Sequence, residues 1–524
     1  MKKSTQKLKK ITRVLFGRTA FVIIAILMQF AFFFILINWL YRYSVLIHLL
    51  FVLLGMFVVI HIFNEDTNSA FKMAWIIPVL IIPIFGTMIY VFVNLQLGTK
   101  IMRSRLASID KQLHEKAKTS DAVLEKLESE LHGERGLASY LHNAGDFPAY
   151  YDNDIEFFPL GEFKFEEMKK QLMAAEKFIF MEYFIVTDSY MWRSILDILK
   201  LKASQGVEVR FMYDGMCSLA LLPYGYYKEL ENMGIKSRPF SQIKPVLSTV
   251  QNNRDHRKIT VIDGKVGYTG GYNLANEYFN YTHPYGEWKD TGIRLEGDAV
   301  ASLTAAFLEM WEASGKTPAD VDVLDIEAQK KYLVQHPYQA KQTGYIQPYA
   351  DCPLDGIQVG EDVYISIVNK ADRYCWFMTP YLIITDEMTH ALSLAARRGV
   401  DVRIITPGIP DKKLIYSITR SFYHNLVQDG VRIYEWTPGF CHAKMSVADD
   451  CMATCGTINL DYRSLYHHFE NGCFMADCDA VLDIRRDMGQ TLEQCREVTE
   501  KYKSGRSATL RLGQLFLRLF AELL

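Results

Sequence analysis

The feature that constrains this chain most is an eighteen-residue frame that occurs twice. His256-Arg-Lys-Ile-Thr-Val-Ile-Asp263 leads through Gly270 and Gly271 to Asn273, and the frame H-x-K-x4-D-x6-G-[GT]-x-N returns 186 positions later (256 to 442) as His442, Lys444, Asp449, Gly456, Thr457 and Asn459. A single H-x-K means little, but two copies agreeing at every spacing mean a duplicated unit.

The first half of each copy alternates as a strand does, so His256 and Lys258 share one face while Asp263 falls on the other. An imidazole and an ammonium two residues apart can both touch one phosphate, and Asn273, past a glycine turn, can donate its amide to the same group. One copy offers one nucleophile and one cation. Two copies face to face offer a nucleophile, an acid and two cations, enough for displacement at phosphorus without a metal. Asp263 and Asp449, although part of the frame, are expected to be structural.

The repeat reaches well beyond the frame. Residues 178–188 (FIFMEYFIVTD) answer 376–386 (WFMTPYLIITD), 206–210 (GVEVR) answer 399–403 (GVDVR), and 290–296 (DTGIRLE) answer 470–476 (ENGCFMA). Asp290 and Glu470 thus hold matching places and are candidates to hydrogen-bond the imidazoles and fix their tautomers. Each unit reads strand, helix, strand, helix, strand, then the motif strand and its partner. The expected fold class is α/β: two duplicated sandwich halves about a pseudo-twofold axis, preceded by N-terminal transmembrane helices.

Three apolar runs (21–40, 45–63 and 75–93) have the length of membrane-spanning helices. They follow a basic stretch with Lys2, Lys3, Lys7, Lys9, Lys10, Arg13 and Arg18, and three runs in succession do not read as a cleaved leader. Pro78 and Pro83 suggest that the third run is kinked or re-entrant. Basic residues at 1–18 and 100–105 flank an acidic 64–72 loop, a pattern that favours an even number of crossings and a cytoplasm-facing body. The expected divisions are a membrane region (1–99), an amphipathic connector (100–145), two catalytic halves (146–330 and 331–505) and a C-terminal amphipathic helix (506–524). Nine cysteines without C-x-x-C spacing read as reduced thiols, and a net charge of −2 argues against nucleic acid as partner.

The paired motifs resemble the phospholipase D superfamily. The segments 253–258 (NRDHRK), 288–291 (WKDT), 438–444 (PGFCHAK) and 456–464 (GTINLDYRS) narrow the resemblance to the bacterial cardiolipin synthases. It implies transfer of a phosphatidyl group between two phosphatidylglycerol molecules, giving cardiolipin and glycerol through a phosphohistidine. His256 would attack and His442 would act as acid and then base. The symmetric sequence does not choose between the histidines, and the family habit does. Lys258 and Lys444 would bind phosphate oxygens, with Asn273 and Asn459 as neutral donors. The resemblance implies no cofactor or metal. Phosphatidylglycerol and the membrane are the expected partners, with self-association left open. Hydrolysis to phosphatidic acid, phosphodiesterase action on nucleic acid and a silent scaffold are the competing readings.

Four places depart from the family pattern. Asp255 stands for a usual Asn, Cys441 for Leu, Gly-Gly for Gly-Ser at 270–271, and His467-His468 for Leu-Asn before Phe469-Glu470. His468, beside Glu470, is left without an assigned role.

Overall fold

The computed structural model describes residues 18–38, 41–65, 67–94, 97–114, 123, 126, 135–151, 153–241, 253–314, 326–333 and 336–504. The basic 1–17 segment, most of the second connector helix and the 506–524 helix lie outside them. The chain forms two compact units, one built mainly from Met1–Lys100, the other from Ile101–Gln242 and Asn253–Glu522.

The first unit consists of α1 (Arg18–Asn38), α2 (Tyr41–Asn64), α3 (Ser69–Ile81) and α4 (Pro83–Asn94). The third apolar run is broken between α3 and α4, because Pro83 disfavours helical geometry at Ile82, whose φ is −131° and ψ 74°. The two pieces pack closely: a Cβ at Gly86 would lie 2.5 Å from the Pro78 carbonyl. Val58, Ile62, Val79 and Tyr90 form a small core there. Over the described residues no helix is long and apolar enough to cross a membrane.

The second unit opens with α5 (Leu97–His114), whose Leu106, Ile109 and Leu113 are buried, as the sequence periodicity predicts. Its first sheet contains β1 (Asp154–Phe158), β2 (Phe178–Tyr183), β3 (Glu208–Asp214), β4 (Lys236–Phe240), β5 (Ile259–Ile262), β6 (Val266–Gly270) and β7 (Gly292–Glu296), in the order β1-β7-β6-β5-β2-β3-β4. The second contains β8 (Tyr345–Asp351), β9 (Tyr374–Met378), β10 (Asp401–Pro407), β11 (Arg432–Trp436), β12 (Met445–Ala448), β13 (Met452–Gly456) and β14 (His468–Ala476), in the order β8-β14-β13-β12-β9-β10-β11. Over these seven strands the two orders are the same, and Tyr150–Tyr151 and Cys495–Glu497 add an edge strand at either side of the second sheet. In each sheet, three strands run parallel and the motif strand pairs antiparallel with the first of them.

Helices joining the parallel strands are capped from the sequence. Ser189 accepts from the Trp192 amide at the start of α6 (Tyr190–Ser204), and Thr385 accepts from the Met388 amide at the start of α7 (Asp386–Arg397). The central core takes Phe180, Val261 and Leu295 from one sheet and Trp376, Val447 and Met475 from the other. A fully buried Arg257, between His256 and Lys258, points into this side and donates to the Glu470 and Ala306 carbonyls and to Glu309. All nine cysteines are free thiols.

Candidate active site

Each motif strand begins three residues after its histidine, and the lead-in crosses to the other half. The His256 amide donates to the Phe469 carbonyl at 2.9 Å, and the His442 amide donates to the Lys289 carbonyl at 2.7 Å. Two short parallel pairings secure the crossing: Arg254–Asp255 on His468–Phe469, and Glu287–Lys289 on Gly439–Cys441.

This crossing decides which carboxylate meets which imidazole. Glu470 follows Phe469, and its Oε2 lies 2.8 Å from His256 Nδ1; Asp290 follows Lys289, and its Oδ2 lies 2.6 Å from His442 Nδ1. The orienting acid therefore comes from the opposite half in both cases. A carboxylate on Nδ1 fixes the ring's rotation and favours the tautomer whose Nε2 carries the lone pair. The two halves support their acids differently. Thr457 donates its hydroxyl to Glu470 Oε2 at 2.5 Å. The matching position is Gly271, where a Cβ would sit 1.9 Å from Asp290 Oδ1, so the Gly-Gly turn is what admits the aspartate.

Lys258 Nζ donates to the His256 carbonyl at 2.5 Å. Lys444 Nζ donates to the His442 carbonyl and lies 2.8 Å from His442 Nδ1. Burial is the largest influence on both lysines, both histidines and Glu470. It pushes Lys258 down to about 7 and Lys444 to about 8, against the pull of Glu470 and Asp290. Burial, then Lys444, pushes His442 down to about 4, against Asp290. Burial lowers His256 well below its ordinary range, helped by the charges of Lys258, His468, Lys444 and His442. It also lifts Glu470 well up, against Lys258.

Asp263 and Asp449 sit at the far ends of their strands, in left-handed turn conformations with φ of 55° and 53°. Asp263 accepts from the amides of Glu176, Lys177 and Phe178, and Asp449 from those of Asp372, Arg373 and Tyr374, all within 2.9 Å. Seven residues of extended chain, about 23 Å, separate each from its histidine. The structure holds these two signature acids in turns past the far ends of the motif strands, apart from the imidazoles that precede those strands. Asn273 is also largely engaged, accepting from the Ile185 amide at 3.0 Å and donating to Tyr278 Oη at 2.8 Å. Asn459 is buried, and its Oδ1 has no hydrogen-bond partner among the described residues.

The frame does not reveal the aromatic walls. Tyr278, Trp288 and Phe440 surround His442 at ring separations of 5.3, 5.2 and 5.8 Å, and Phe184 stands 4.6 Å from His256. One signal was present: Trp288 precedes Asp290 by two, so both project from the same face of their strand.

Two oriented imidazoles and two buried ammonium groups, drawn reciprocally from duplicated α/β halves, make a site suited to displacement at a phosphodiester. The comparisons place it. The family described as "Cardiolipin synthase, PLD-like domain" matches residues 168–311 and 364–492, and "Phospholipase_D-nuclease N-terminal" matches 53–93. A Streptococcus mutans protein described only as uncharacterized is 46% identical over 89% of this chain and 99% of its own. Cardiolipin synthase 2 of Bacillus cereus is 31% identical over 88% of each chain, and cardiolipin synthase of Halalkalibacterium halodurans is 30% identical over 92% of this chain and 94% of its own. The phosphatidylserine synthase of Haemophilus influenzae shares the fold, with a TM-score of 0.56 at 15% identity over 75% of this chain and 98% of that one. The chain belongs to the cardiolipin synthase family of phospholipase D-like proteins.

Proposed function

We propose that this protein is a phosphatidyltransferase that joins two phosphatidylglycerol molecules into cardiolipin and releases glycerol. The observation that carries the reading is the crossed pair, His256 on Glu470 and His442 on Asp290. His256 Nε2 attacks phosphorus, and the bond to the departing glycerol oxygen breaks as His442 protonates that oxygen. The hydroxyl of a second phosphatidylglycerol then gives its proton to His442 and attacks phosphorus, and His256 leaves. Lys258 and Lys444 hold the non-bridging oxygens. Asn459 offers a neutral contact beside them; Asn273 and Tyr278 support the His442 side. Asp263 and Asp449 build the strand ends and touch no reacting atom.

The first unit is the membrane anchor in this reading. Leu27, Phe34, Leu50, Phe57 and Phe63 expose between 59% and 71% of their surface, and Ile24, Phe30, Leu46, Leu80 and Ile81 are also exposed. So many exposed large apolar side chains suit a lipid surrounding better than water. The anchor holds the catalytic unit at its lipid substrate, on the cytoplasmic face of a cell membrane.

The test is direct. Full-length enzyme incubated with phosphatidylglycerol gives cardiolipin plus glycerol; phosphatidic acid plus glycerol would reassign the acceptor to water, and no turnover would reject the reading. His256→Ala lowers turnover by about 10⁴-fold. A phosphoenzyme accumulates in His442→Ala and not in His256→Ala, and the reverse pattern exchanges the two roles.

A further inference from the structure

His468 takes no part in the proposed transfer, yet it is built into the site. It precedes Glu470 by two, the place that Trp288 fills relative to Asp290 in the other half. Its ring lies 5.2 Å from that of His256, matching the 5.2 Å between Trp288 and His442. Tryptophan at that place is only a wall, whereas an imidazole there is also a ligand.

Three donor atoms converge: one each from His256, His468 and Glu470 lies within 4.8 Å of the others. His468 Nδ1 stands 3.5 Å from Glu470 Oε1, close to the roughly 3.4 Å edge of a tetrahedron with zinc–ligand bonds of about 2.1 Å. All three side chains are buried, with residue exposures of 5%, 8% and 0%. A second observation points the same way. Neither ring nitrogen of His468, nor Glu470 Oε1, has a hydrogen-bond partner among the described residues. Buried polar atoms are almost always paired, so His468 Nδ1 and Glu470 Oε1, 3.5 Å apart and each without a hydrogen bond, call for a shared partner. The His468 main chain bridges to Arg254, which keeps the ring in place.

We infer that His256, His468 and Glu470 form a site for a divalent cation of zinc type, and that filling it switches the enzyme off. Two imidazoles and a carboxylate suit zinc and not magnesium or calcium, which prefer all-oxygen sites. A cation on His256 Nε2 removes the attacking lone pair. On Nδ1 it takes the place of the proton facing Glu470, that proton moves to Nε2 as the other neutral tautomer, and the lone pair needed for attack is again lost. Lys258 and Lys444 oppose the cation, so it binds reversibly and more weakly than structural zinc. The inhibition rests on His256 being the nucleophile; the metal site does not.

The experiment uses the full chain in detergent–lipid micelles, stripped with chelator and dialysed against Zn²⁺. Wild type retains one equivalent, and both His468→Asn and Glu470→Gln bind at least about tenfold more weakly. On phosphatidylglycerol, Zn²⁺ inhibits wild type, chelator restores it and Mg²⁺ has no effect. His468→Asn keeps its basal activity and needs at least about tenfold more Zn²⁺. No stoichiometric zinc in wild type, or equal retention by His468→Asn, overturns the inference. If His468→Asn fails to fold, Co²⁺ in wild type decides: an intense four-coordinate visible spectrum supports the site, and a weak six-coordinate one sinks it. Zinc retained without cardiolipin formation keeps the site and rejects the transferase reading alone.

Discussion

Burial controls the reacting side chains, and its first consequence is a proton. Lys258 and Lys444, held near 7 and 8, are charged below those values and lose charge above them. A phosphodiester brings the negative charge that burial denies them and raises both. Binding of a phosphodiester analogue at pH 8 is therefore expected to take up protons, seen as a buffer-dependent heat in titration calorimetry. In chelated buffer kcat/KM falls as pH rises through 7 to 8, with most of the loss in KM. An alkaline limb above pH 9.5 would mean that the lysines are less shielded than the structure shows. Asp255, pushed up to about 6 chiefly by burial, has the opposite sign in stability. A carboxyl whose folded pKa is raised costs the fold stability as pH rises from about 4 to 6, a cost fully present above 6, so Asp255→Asn is expected to stabilise more at pH 8 than at pH 5, the difference being about 1–2 kcal/mol by denaturation at the two pH values.

At the scale of elements, the strand that carries each motif is anchored at one end and reactive at the other. Removing the three-amide acceptor by Asp263→Ala leaves buried and part-buried donors unpaired and costs about 2–5 kcal/mol, whereas Asp449→Ala frees amides that are mostly exposed and costs about 1–2 kcal/mol. Chemical denaturation should show that loss while the folded fraction keeps its specific activity. Much of this was legible in the sequence. The repeat marked two halves, and of the two prolines read as kinking the third apolar run Pro83 stands at the break while Pro78 stays inside α3. Asp263 is apart from His256 because it lies past the far end of the strand, not because of the strand-face alternation read from the sequence. What stayed hidden depends on contacts far apart in the chain. Strand β5 starts at Ile259, not at His256, because residues 254–256 pair with the other half. The aromatic walls and the open valences of His468 depend on the same association, which local spacing does not encode.

At the scale of the molecule, the halves are exchanged at the site. Glu470→Gln, in the second half, should slow formation of the phosphoenzyme on His256, whereas Asp290→Asn, in the first, should slow the proton transfers of His442. Rapid-quench measurement of phosphoenzyme formation and decay separates these effects. Losses of about 10²–10⁴-fold in the two opposite phases are expected, and identical kinetics for the two variants would contradict the exchange.

The same reciprocity says something about origin and economy. Two identical copies of a single half, meeting about a twofold axis, could satisfy the same crossed bonds between imidazole and carboxylate. Linking them end to end replaces a concentration-dependent encounter with a permanent local one, so the pocket stands assembled even in a dilute membrane. Once tethered, the copies are free to diverge, one keeping tryptophan beside its acid and the other acquiring histidine. In that divergence a symmetric scaffold gains two distinguishable ends.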